Sequence, residues 1–118
     1  MELNEFQALT GHSVLPGTFA KFEKIYMQLN CEKAAFCCAV ADLAAEYDET
    51  VSRPRVAALE SKLRDLGNLQ PARVVALKDA TERGDWDTVE KLASALRQGV
   101  KQMTVINSEL LFLDGQLR

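Results

Sequence analysis

The 118 residues, 47% apolar and 26% charged, suit one soluble domain large enough to bury a core without disulfides or metals, and they exclude a disordered chain. Apolar runs of only a few residues exclude a membrane-spanning helix, and the acidic start MELNEFQALTGH lacks the basic and apolar regions of a signal peptide. The net charge of −3 excludes nucleic-acid binding by bulk charge, and three cysteines, an odd number, argue against a secreted disulfide framework, so a cytoplasmic protein is expected.

Segments of helical period follow one another, separated by Pro, Gly and Asn, with no run of strand alternation. A short helix is expected at Glu5–Leu9, stopped by Thr10-Gly11. After Leu15-Pro16-Gly17, Thr18 can cap a second helix through Leu29, with Phe22, Ile25 and Leu29 on one face. A third opens at Asn30 or Cys31 and runs to about Tyr47. SRPR, residues 52–55, begins a fourth, since Pro54 suits a first turn; Val56, Leu59, Leu63 and Leu66 make its stripe and Gly67-Asn68 ends it. Pro71 starts a fifth helix, closed by Gly84, and RGDW turns the chain into an antiparallel hairpin.

The last helix carries the clearest pattern. Asp85 or Asp87 caps it, and Val89, Leu92, Leu96, Met103, Ile106, Leu110, Leu113 and Leu117, with Gly99 in the one gap, keep a 3,4 spacing throughout. Running from Trp86 to Asp114, it would be roughly 43 Å long at 1.5 Å per residue. A compact domain of this size has a radius of gyration of only about 14 Å. The fold class expected is therefore all-α: a single helical domain, residues 1–118, forming a bundle of five or six helices with a long C-terminal helix. Residues 1–50 supply the N-terminal helices, and residues 53–118 a three-helix segment.

The cysteines invite a metal reading that their spacing defeats. Zinc wants paired ligands two to four residues apart, whereas Cys31, Cys37 and Cys38 are six and one apart and the only histidine is His12. On one helix Cys31 and Cys38 would be separated by about 10 Å of rise, too far for one ion or a disulfide. The thiols read as packing: Phe36, Val40, Leu43 and Tyr47 fall on one side of a helix, and Ala34, Cys38, Ala41 and Ala45 on the other. Apolar on two faces, this helix is expected at the bundle centre with Cys38 buried. No cofactor is implied, and no metal or catalytic residue is assigned. Thr10-Gly11-His12-Ser13 could be imagined as a nucleophile and its base, yet no Gly-x-Ser-x-Gly, His-Glu-x-x-His or phosphate loop is present, so an enzyme is not expected. His12 reads as a solvated turn residue, and Trp86 as a staple on the preceding helix.

Two binding readings remain. The stripe of the last helix is longer than either of the two preceding helices, about 13 residues each, could cover. Leu96, Met103, Ile106, Leu110, Leu113 and Leu117 are thus candidate contacts to a protein partner or a second copy. The alternative is a nucleic-acid-binding regulator: residues 53–84 hold seven bases and four acids, against three bases and eight acids in residues 1–52, and Arg53, Arg55 and Arg73 could form a basic face. The interleaved Glu60, Asp65, Asp79 and Glu82 favour a solvated mixed-charge surface.

Glu5, Phe6, Leu9, Thr10 and Gly11, then Phe22, Ile25, Tyr26 and Met27, then Lys33, Phe36 and Cys37 form a pattern over residues 4–38. It resembles the N-terminal stretch of small uncharacterised proteins of gut bacteria and their phages. These are packing and capping residues, so the resemblance implies no activity. The remaining two-thirds is similar in composition to helical secretion chaperones of the flagellar type, short acidic proteins ending in a long helix. Together the readings point to a non-enzymatic adaptor, chaperone-like binder or phage accessory factor, with a flagellar or type III export chaperone as the alternative.

Overall fold

The computed structural model describes residues 1–117, which are all-α, with no strand among them. The α-segments are α1 (Leu3–Thr10), α2 (Pro16–Gln28), α3 (Lys33–Tyr47), α4 (Arg53–Glu82) and α5 (Trp86–Asp114). A π turn, Asp48–Ser52, links α3 to α4, and both joins keep helical dihedrals, Tyr47 at φ −60°, ψ −44° and Arg53 at φ −66°, ψ −43°. Residues 33–82 therefore form one uninterrupted rod, and the molecule is built of four rods rather than five or six. At 1.5 Å per residue such a rod is roughly 75 Å long, in keeping with overall dimensions of 69 × 22 × 18 Å.

Prolines explain both corrections. Pro54 has no N–H, and its ring crowds the carbonyl four residues back, which would break an ordinary helix. Widening the turn lets the Arg53 N–H reach the Asp48 carbonyl five residues back, so the rod passes the obstacle without ending. Pro71 lies inside α4 instead of starting a helix. The carbonyl it leaves unpaired belongs to Gly67, which is exposed and can be served by water. An interior proline costs about 3 kcal/mol, and the packing of α4 along α5 offsets it. The expected stop at Gly67-Asn68 is thus overridden by tertiary contact.

The turn signals between the last two helices operate as read. Gly84, at φ 69°, closes α4. The Gly84 N–H bonds Thr81 and the Asp85 N–H bonds Ala80, at 3.1 and 3.0 Å, which completes a Schellman motif. Asp85 then caps α5, accepting from the Thr88 N–H and hydroxyl at 3.3 and 2.7 Å.

Two cores result. The N-terminal one gathers Phe6, Val14, Phe22, Phe36, Cys37 and Ala44, with Phe19, Tyr26, Val40 and Tyr47 at its edge. Its rings meet at angles, Phe22 and Tyr47 edge to face at 6.2 Å. The second joins Val56 and Leu59 of α4 to Ile106 and Leu110 of α5, flanked by Leu15, Leu63, Leu66 and Leu113.

Helix α3 is covered on one side only. With four rods there is no layer behind it, so Ala34, Cys38 and Leu43 face solvent, contrary to the expectation of a doubly buried helix. Its covered stripe centres on Cys37, Val40 and Ala44; Cys37 is the buried thiol, and Cys31 and Cys38 are exposed. Thr18 does not cap α2. Leu15 occupies the cap position and Pro16 the first turn, while Thr18 is buried inside the helix. Trp86 is 63% exposed and is no staple.

Two glycines on these helices predict opposite outcomes. A Cβ at Gly17 would lie 2.9 Å from the Leu113 Cα, a backbone atom that cannot step aside, whereas a Cβ at Gly67 would meet nothing within 4 Å. Gly17→Ala should destabilise by about 1–3 kcal/mol. Gly67→Ala should stabilise by about 0.5–1 kcal/mol, because the helix interior is entropically costly for glycine. Urea denaturation followed by circular dichroism measures both.

Candidate interaction surface

The first question is where the residues expected to bind a partner lie. Ile106 and Leu110 are buried against Val56 and Leu59, and Leu113 packs beside them. Leu96 and Met103 are half-buried along the same seam, and only Leu117, beyond the end of α5, is exposed. The stripe of α5 faces its own chain because α4, with 30 residues, is as long as α5 with 29. The premise that the stripe outruns its neighbours fails with the split at Gly67. Replacing Ile106 or Leu110 would test the fold and not a docking surface.

The three arginines are also engaged within the chain. Arg53 donates from Nε to the Asp48 carboxylate at 2.6 Å. Arg55 forks onto Glu109, Nε to Oε1 at 2.8 Å and a terminal nitrogen to Oε2 at 3.0 Å, tying α4 to the far end of α5. Arg73 donates to the Gln70 amide oxygen at 2.8 Å and to the Ala95 carbonyl at 3.3 Å. Each guanidinium answers a local acceptor, which weighs against a shared phosphate-binding face.

A buried polar knot joins the two cores. Asp48, 3% exposed, accepts from the Leu15 N–H and the Thr18 hydroxyl, both at 2.8 Å, and from Arg53. Thr18 and Ser52 share a hydroxyl–hydroxyl bond of 2.6 Å. Thr18 has one proton, given to Asp48, so it accepts from Ser52. The knot serves the fold, since its groups are turned inward and satisfied by one another. A second polar joint sits halfway along the hairpin. Gln70 donates to the Leu96 carbonyl at 2.9 Å, and Gly99 leaves the space its amide fills, where a Cβ would overlap it.

The open feature is a groove of 590 Å³ running between α4 and α5, lined from these two helices alone. Leu59, Leu66 and Ile106 form its floor. Leu69 and Val105 stand at its lips, 45% and 66% exposed. Lys62, Asp65, Lys101 and the Arg55–Glu109 pair make a polar rim around this apolar trough. Val105 belongs to a second row on α5: it and Phe112 are seven residues apart, about two turns, and both are exposed. The sequence held this row, but the stronger 3,4 stripe of the same helix masked it.

Chemistry is otherwise sparse. Among the described residues no group of three or more His, Cys, Asp or Glu side chains could hold a metal ion. His12 lies 3.7 Å from Asp42, whose carboxylate is fully exposed. No helix of the described residues is long and apolar enough to cross a membrane.

The knot and the Arg55–Glu109 fork each give a prediction. Asp48→Ala strips one buried donor, the Thr18 hydroxyl, and two part-buried ones, the Leu15 N–H and Arg53 Nε, of their acceptor and should cost about 2–3 kcal/mol, read by urea denaturation; a cost below about 1 kcal/mol would show the knot to be dispensable. The Arg55 fork, as its chief cause, holds the Glu109 carboxyl below the usual carboxylate range. The folded value is depressed, so the fork's stabilisation is complete above the unfolded carboxylate pKa, about 4.3, and disappears as pH falls through the folded value. Carbon-detected NMR titration should place Glu109 below the ordinary glutamate value, and Arg55→Ala should raise it.

No protein-family model matches the chain, and the curated proteins and the solved structures offer no match to it either.

Proposed function

We propose that the protein is a helical interaction protein of adaptor or chaperone-like type, which binds a protein helix along the groove between α4 and α5. The supporting observation is the groove itself, with an apolar floor, exposed apolar lips at Leu69 and Val105 and a polar rim. Hydrophobic docking draws its free energy from such surface, at about 25 cal/mol per Å² removed from water, while a polar rim sets register. The trough separates two antiparallel helices, so its natural occupant is a third, lying in it as an amphipathic helix lies in a receptor groove. The N-terminal helices hold the base of the hairpin and leave the groove open.

Photo-crosslinking in the source cell tests this reading. A photoreactive phenylalanine at Leu69 or Val105 should yield adducts with a protein, identified by mass spectrometry. The same probe at Arg64, roughly 140° round α4 from Leu69, should yield none. Equal labelling at all three positions, or none at any, would overturn the groove as the contact site.

A further inference from the structure

Resting on that reading, we infer that the groove's occupant is the same groove of a second copy of this chain, so that two α4–α5 hairpins stack as a four-helix bundle.

Surface area argues first. A compact monomer of 13.1 kDa exposes about 6,400 Å², whereas this chain exposes 7690 Å². The surplus is about 1,300 Å², and each partner in a standard interface hides about 800 Å². The surplus arises from the shape: the radius of gyration is 21.0 Å, against about 14 Å for a compact domain. Two helices lying side by side cover each other along one face only, and a second pair can cover the face left open.

Self-complementarity argues second. A two-fold interface must present to its copy both the ridge and the hollow that receives it. This face does so, with Leu69 and Val105 as ridges beside the hollow over Leu66 and Ile106. Its charges follow the same rule. Lys62 and Asp65 on α4 and Lys101 on α5 line the groove, and Lys62 also acts on the Glu109 carboxylate of its own chain. A partner of one charge would be matched by a rim of one opposite charge. A rim bearing both signs suits a copy of itself, where the acid of one chain can meet a lysine of the other. The ridges Leu69 and Val105 lie outside the Ile106–Leu110 stripe, of which only Ile106, 8% exposed, reaches the floor of the hollow.

Sedimentation equilibrium of the full chain tests the inference. A dimer is expected at micromolar concentration, and Val105→Glu should weaken it at least about a hundredfold while leaving the helical signal intact, because Val105 is exposed. Leu69→Lys should act likewise. Leu43→Glu, at an equally exposed apolar site on α3, should leave the dimer unchanged. A monomer at high micromolar concentration would overturn the inference, as would a dimer that tolerates Val105→Glu. If the chain is monomeric while Leu69 and Val105 still crosslink to a different protein, self-pairing fails and the interaction reading stands. If neither dimer nor crosslink forms, both fail.

Discussion

One buried carboxylate fixes the relation between the two halves of this molecule. Helix α2 begins with no side-chain cap of its own, since Leu15 sits at the cap position. Its need for an acceptor is met from across the fold: Asp48 of the π turn takes the Leu15 N–H and the Thr18 hydroxyl. A negative charge at a helix N-terminus is also favoured by the helix dipole. Arg53, five residues further along the rod, closes the pair from the solvent side. Asp48 and Ser52 both point at α2 because the π turn sets the local phase of the rod. Placing α2 then places the end of α5, because Gly17 lies against Leu113 and Gly115 against Pro16.

With that end seated, the rest of the hairpin follows from two helices of matched length. The 3,4 stripe of α5 finds its complement on α4 over the half nearest the knot, where Val56 and Leu59 meet Ile106 and Leu110. Further out the contact turns polar. Gln70 and Arg73 reach across to carbonyls of α5, and Gly99 gives up its side chain to admit the Gln70 amide. Placing this joint opposite Pro71 is physically sensible, since a helix that has lost a backbone bond gains cross-links from its neighbours. The hairpin is held at its base by the knot and the apolar seam, in its middle by side-chain amide and guanidinium, and at its tip by the Gly84 turn.

Much of this was legible in the residues, and the failures have physical causes. The start of α5 could be read because cap and stripe agree, Asp85 standing at its head, whereas the stripe drawn to Leu117 runs past the end that Gly115 sets. The antiparallel turn at Gly84 was legible for the same reason. The unity of α4 was hidden: glycine, asparagine and proline within five residues signal a stop locally, and only the length of α5 beside them reverses it. That error propagated, because two short helices would have left the α5 stripe bare and one long helix covers it. Asp48 carried no mark at all. It sits in the acidic run DE, where solvated carboxylates are usual, and its partner Thr18 looked like a cap. Cys38 was misplaced because a helix with two apolar sides does not say which one lacks a neighbour.

The division of α5 into two rows bears on how it can bind anything. A partner seeking the inner row would have to part α5 from α4 and expose Val56, Leu59, Ile106 and Leu110. Each such side chain is worth about 1.5–3 kcal/mol when buried, so parting them would forfeit a sum comparable to the whole stability of a domain this small, about 5–15 kcal/mol. The outer surface demands nothing of that kind. Leu69 and Val105 are already exposed, and burying them gains free energy without breaking a contact the fold relies on. Recognition through the groove is thus the route compatible with a hairpin that stays shut, and the inner stripe, for all its regularity in the sequence, is what keeps it shut.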